Sequence, residues 1–164
     1  MTFEAKIGKT ELREVYRKFL LDKARKDDSI VVLEADLSSS MSTDKIKDEL
    51  GGRYINAGIM EAQEVCCAAG LSVAGFKPYI HTFGPFASRR VFDQIFISVA
   101  YAGTNVTIIG SDAGVTAEAN GGTHMPFEEL SLLRSIPDAH VYEASDDKCL
   151  QAILEETYHT DGLN

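Results

Sequence analysis

Apolar positions along the chain alternate between two rhythms. Over "TELREVYRKFLLDKARKD", Leu12, Val15, Tyr16, Phe19 and Leu20 recur at the helical period, and Thr10 stands where an N-cap is expected. "SIVVLEAD" then reads as a short buried strand. A short helix over Thr43–Leu50 and a strand in "RYINAG" follow. Glu61 opens a helix rich in small residues, and "KPYIHTF" is strand-like. The run "FASRRVFDQIFISVAYAG" predicts one long helix with Val91, Ile95, Ile97 and Val99 available to the core. Beyond it come a strand in "NVTIIGSD", a helix in "PFEELSLLRSI", a strand in "AHVYEA" and a last helix in "DDKCLQAILEETYH".

Strands that are apolar almost throughout, alternating with helices, predict an α/β fold: a parallel sheet with helices on both faces. No repeat or linker divides the chain, so residues 1–164 are expected to form a single domain. Another strand is due after the last helix, so the sheet is expected to lack its last strand. Ligands in such sheets bind beyond the carboxyl ends of the strands. That directs attention to the loops after Glu34, Asn56, Thr82, Gly110 and Tyr142.

Composition narrows the function class. Of 164 residues, 45% are hydrophobic and 25% charged, and the net charge is −9. No basic face is concentrated for phosphate recognition, which argues against a nucleic-acid partner. No run approaches the ~18 apolar residues of a membrane span, and the first residues lack the apolar stretch of a signal peptide. Cys66, Cys67 and Cys149 form no even framework and no CxxC pair. Cys66 and Cys67, adjacent in a helical pattern, are expected to be small core residues. A reduced, cytoplasmic protein is the expectation.

The strand-end loops hold a specific set of side chains. "EADLSSSMS" offers Asp36 and Ser38–Ser40, and "NAGIMEAQ" offers Glu61. "HTFGPFASRR" places Phe83 and Phe86 three apart. "GSDAGVTAEANGGTHMPFEE" is a long Gly-rich loop carrying Asp112, Asn120 and Thr123-His124. Each has an ordinary explanation alone: Glu61 is favoured by the helix dipole, the phenylalanines by core filling, the serines by turn and cap formation. His81, at a strand end, is expected to be solvated. In this order on one rim, the set asks for a ligand. The neighbours of Glu61 in sequence offer it no counter-charge, and such burial tends to keep a carboxyl protonated.

From Ser29 to Asp147 the chain resembles the pyrimidine-binding domain of transketolase-like thiamine diphosphate enzymes. The stretches that carry the resemblance are "VVLEADLSSS", "RYINAGIMEAQEVCCAAGLSVAGFKPYIHTFGPFASRRVFDQI" and "NVTIIGSDAGVTAEANGGTHMPFEELSLLRSIPDAHVYEASD". By this resemblance Glu61 hydrogen-bonds a ring nitrogen of the aminopyrimidine and so promotes formation of the carbanion nucleophile. Phe83 and Phe86 form the apolar slot for the ring, and Asp36 lies near cofactor and acceptor sugar. Ser40 matches a substrate-phosphate contact, and His124 binds the donor sugar's oxygens and assists proton transfer.

Three departures qualify it. Asn120 stands where transketolases usually carry Asp before the Gly-x-Thr-His element, which leaves selectivity for donor stereochemistry open. Asp112 stands where many members carry a phosphate-binding histidine, and its charge opposes a phosphate dianion. The family's diphosphate and metal motif, Gly-Asp-Gly followed downstream by Asn, does not occur. The resemblance therefore implies half of an active site, with no metal ligand in this chain. A diphosphate-binding-domain subunit would share the thiamine diphosphate and hold its Mg2+ or Ca2+. The assembly would be a dimer of heterodimers or a homodimer of fragments, inactive without that partner. The implied activity is transfer of a two-carbon ketol unit between a ketose and an aldose, on sugar or sugar-phosphate substrates. The alternatives are a non-catalytic assembly or regulatory partner, a 1-deoxyxylulose-phosphate synthase and a 2-oxoacid dehydrogenase β-subunit. The family's diphosphate-binding and C-terminal domains are expected to be absent from this chain.

Overall fold

The computed structural model describes Gly8 and residues 10–164. Four strands, β1 (Ile30–Glu34), β2 (Tyr54–Asn56), β3 (Lys77–Phe83) and β4 (Thr107–Ser111), form one sheet in the order β2-β1-β3-β4. Every pairing is parallel, with Glu34 level with Asn56 and His81, and Phe83 level with Ser111. The carboxyl ends of all four strands therefore lie along one edge.

Alternate strand residues feed two cores. Ile30, Val32 and Tyr79 pack with Tyr16, Phe19 and Leu20 of α1 (Leu12–Ala24) and with Leu154, under the two helices on that face. On the other face Val31, Leu33 and Ile80 pack against Val65, Ala68 and Ala69, together with Ile95 and Val99. Strands buried on both sides explain the continuous apolar runs. Short helices α2 (Ser38–Met41) and α3 (Lys47–Leu50) fill the β1–β2 crossover, and α4 (Glu61–Val73) returns the chain to β3.

Three local expectations are corrected. Thr10 is not the N-cap of α1: Glu11 occupies that position without a side-chain cap and pairs with Arg13 instead. The long helix after β3 is broken. It begins as α5 (Gly84–Ala87), leaves helical geometry at Ser88, and resumes as α6 (Phe92–Gln94), which runs on as a π-helical stretch over Ile95–Tyr101. The Ser88 hydroxyl donates to the Gly84 carbonyl at 2.7 Å, satisfying that carbonyl without a continuing helix. Cys66 is exposed rather than a core residue.

Nor is "AHVYEA" a strand. After α7 (Glu129–Leu133) and this extended segment, α8 (Asp147–His159) is capped by Asp146, whose carboxylate accepts from the Cys149 amide. The last residues then turn back along β4: Val106 N–H donates to Gly162 O at 3.0 Å and Ile108 N–H to Asn164 O at 2.8 Å. His140 N–H donates to Leu163 O, so Gly162–Asn164 lies between β4 and the 139–144 segment. Residues 141–144 thus have no neighbouring strand among the described residues. A cavity of about 200 Å3 opens there, lined by Ile108, Gly110, Val141 and Tyr142. Among the described residues no helix is long and apolar enough to cross a membrane.

Candidate functional site

The strand ends gather most of the expected side chains onto one edge. Glu61 is the first residue of α4 and is only 4% exposed. Its position in the first turn suits an acid, because the free amides of that turn favour negative charge. Phe83 closes β3, and Phe86 follows within α5. Their ring centres lie 6.0 Å apart, edge to face. The His124 ring stands 5.4 Å from Phe83 and 5.1 Å from Phe86, also edge-on, so the three rings form one aromatic cluster.

The Thr123-His124 loop is held there by close packing. Gly84 leaves no room for a side chain: a Cβ would stand 2.8 Å from Pro126 Cγ and 3.2 Å from the Ser111 carbonyl. Arg89 adds a tether, donating to Glu128 at 2.6 Å and to the Thr123 carbonyl at 3.2 Å. His124 Nδ1 lies 2.9 Å from the Thr123 hydroxyl, which fixes the ring's rotation.

Glu61 does have a counter-charge, contrary to the sequence expectation. Arg90 Nη1 donates to Glu61 Oε1 at 2.6 Å. The same guanidinium lies over the Phe86 ring, its Cζ 3.6 Å from the centroid. Arg90 follows Phe86 by four residues, and the turn at 88–91 between α5 and α6 returns its side chain over the Phe86 ring. The signal in the sequence was the paired Arg89-Arg90 directly after the phenylalanines.

Beneath this cluster lies a polar group that the sequence reading missed. His81 is 1% exposed rather than solvated, and its Nδ1 sits 2.8 Å from Glu34 Oε2, with Glu34 fully buried. The Thr43 hydroxyl donates to the other oxygen of Glu34. One turn into α4, Glu64 is fully buried with neither carboxyl oxygen hydrogen-bonded among the described residues. Burial, and after it the negative charge of Glu34, push its carboxyl up to about 8 from the ordinary 4.5.

The remaining candidates line the same edge without joining the cluster. Asp36, in the left-handed region, is tied to the β2 end by Asn56, whose side chain exchanges two hydrogen bonds with it at 3.1 Å. Ser40 sits exposed in α2, its carbonyl accepting from Arg13. Asp112 begins the loop after β4, also left-handed, and Asn120 is exposed further along it. None of these four side chains bonds to Glu61, Phe83, Phe86 or His124 among the described residues. No group of three or more His, Cys, Asp or Glu residues converges as a metal site among them.

What the cluster can hold follows from what it holds now. A buried carboxylate accepts from a flat, N–H-bearing group stacked on a phenylalanine. An aminopyrimidine offers the same combination of ring face and N–H donor, so the residues present fit that group.

The family described as transketolase, pyrimidine binding domain, matches residues 8–163. A 6-deoxy-6-sulfo-D-fructose transketolase subunit, SqwH, of Clostridium sp. (strain MSTE9) is 47% identical over 160 residues, covering 98% of this chain and 50% of the relative. A transketolase C-terminal section of Methanocaldococcus jannaschii is 35% identical over 135 residues, covering 82% and 43%. A solved split-gene transketolase, described as an inactive β4 tetramer, superposes with a TM-score of 0.81 at 35% identity, covering 93% of this chain and 49% of that one. The chain spans about half the length of these two curated relatives. It belongs to the transketolase pyrimidine-binding-domain family.

Proposed function

We propose that this chain supplies the pyrimidine half of a thiamine diphosphate site in a split transketolase, moving a two-carbon ketol unit from a ketose to an aldose. The observation that carries the reading is the buried Glu61 carboxylate opening onto Phe83, Phe86 and His124. When bound, the cofactor supplies the carbanion chemistry of the transfer. Glu61 shares a proton with a ring nitrogen in a site from which water is largely excluded, where a charge-assisted hydrogen bond is strong. Phe83 and Phe86 hold the ring by its faces and edges. His124, fixed by Thr123, presents its other nitrogen to the donor sugar's oxygens and moves a proton there. Asp36, Ser40, Asp112 and Asn120 line the approach and contact the sugar substrates.

The diphosphate and its metal belong, in this reading, to a partner subunit that carries Gly-Asp-Gly. Exposed apolar residues support such a partner. Ile59 and Met60 lead into Glu61, Val73 ends α4, Tyr101 ends the π-helical stretch, and Phe127 flanks the His124 loop.

The test is to recover the complex formed by the tagged chain in its native lysate and assay thiamine diphosphate-dependent ketol transfer. Xylulose 5-phosphate is one donor. The Clostridium relative's name makes 6-deoxy-6-sulfo-D-fructose the second. Transfer from either donor, present only with a Gly-Asp-Gly partner, is the expected result. A stable complex without transfer would favour a non-catalytic assembly role.

A further inference from the structure

We infer that Arg90 holds the place of the aminopyrimidine when no cofactor is bound, and that the ring enters by displacing it. The inference rests on the site reading above. A ring seated there needs two things: the Glu61 carboxyl to hydrogen-bond it, and an aromatic surface against its face. Arg90 already uses both. Its Nη1 takes Glu61 Oε1 at 2.6 Å, and its guanidinium covers Phe86 at 3.6 Å.

Phe83, Phe86 and His124 meet edge to face with centres 5.1–6.0 Å apart, so no two of these rings stand parallel with a gap between them. Arg90 also has somewhere to go. Its side chain is 43% exposed while Glu61 is 5% exposed, so it can swing into solvent and leave the carboxylate to the incoming ring. Arginine suits this role because its planar, always-charged fork stacks on aromatic faces and donates along its edge. Without it, Glu61 would be a nearly buried carboxylate with no hydrogen-bonded cation among the described residues. Arg90 thus shields a costly charge, and the cofactor's affinity is lowered by the strength of that contact.

The test uses the full chain and the cofactor's own ring, 4-amino-5-hydroxymethyl-2-methylpyrimidine, titrated by calorimetry and followed by NMR of the arginine side chains. Wild type, Arg90→Ala, Arg90→Lys and Glu61→Ala are compared. Arg90→Ala is expected to bind about three- to tenfold more tightly than wild type, because one partly exposed charge-assisted contact no longer has to be broken. Arg90→Lys, which cannot stack as a plane, falls between them, and Glu61→Ala loses binding. In wild type the Arg90 guanidinium signal shifts to that of a free side chain at saturation. Suppose instead that binding depends on Glu61 but Arg90→Ala binds equally or more weakly. Arg90 is then a wall of the slot, the displacement is wrong, and the site reading stands. Absence of binding in every variant, Arg90→Ala included, overturns both.

Discussion

Glu34 and His81 lie level on adjacent parallel strands and meet at 2.8 Å in the interior, two residues before Phe83 ends β3. The buried acid and imidazole are paired there through Nδ1, while Nε2 of His81 has no hydrogen-bond partner among the described residues. Glu64, close enough to feel the charge of Glu34, has no such partner. Its proton therefore becomes part of the fold's stability. Between about pH 4.5 and 8 the folded chain keeps a proton on Glu64 that the unfolded chain releases. That stabilisation is fully present below the ordinary carboxyl value and is lost as pH rises toward 8. Urea unfolding should show stability falling over this window, by at most about 1.4 kcal/mol per pH unit from this group. In Glu64→Gln the fall should be shallower; an unchanged slope would assign it to other groups.

The Gly84 contact makes a second prediction. Gly84→Ala forces a methyl to within 2.8 Å of Pro126 and 3.2 Å of the Ser111 carbonyl, which is backbone and cannot swing away. Overpacking of this kind costs about 1–3 kcal/mol. Because Pro126 follows the Thr123-His124 loop, the aromatic cluster should loosen as well. Denaturant unfolding would register the first effect, and weaker binding of the pyrimidine the second.

Arg89 provides a third, separable from stability. Both its contacts are at the surface, so Arg89→Ala should change unfolding free energy by no more than about 1 kcal/mol. It releases the tether on Thr123. In the complex of the proposed function, the donor KM should therefore rise while the chain's melting temperature barely moves. A large loss of stability with unchanged KM would make Arg89 structural.

Strand ends were the legible part of this molecule. Near-continuous apolar runs predict a buried parallel sheet, and a parallel sheet brings every following loop to one edge. Glu61, Phe83, Phe86 and His124 could thus be placed near one another from sequence. Arg90's meeting with Glu61 could not, because it joins two segments 29 residues apart, a contact that neither segment's apolar spacing reports. His81 and Glu34 escaped for a like reason. Their meeting depends on β1 lying beside β3, and strand order is a long-range property that neither strand's pattern contains. The missing strand at 139–144 has the same origin: the run has strand character, but Leu163 stands between it and β4.

The central claim is that Glu61 activates the cofactor ring, and isotope exchange measures it most directly. In the complex with the diphosphate subunit, the rate at which the thiazolium C2 proton of bound thiamine diphosphate exchanges with deuterium is read by rapid quench and NMR. Glu61→Gln preserves shape and one hydrogen bond but cannot share a carboxyl proton. Exchange in that variant should be slower by about two orders of magnitude or more, the scale of one lost acid–base contribution, while the complex still folds and assembles. Exchange as fast in Glu61→Gln as in wild type would contradict the account.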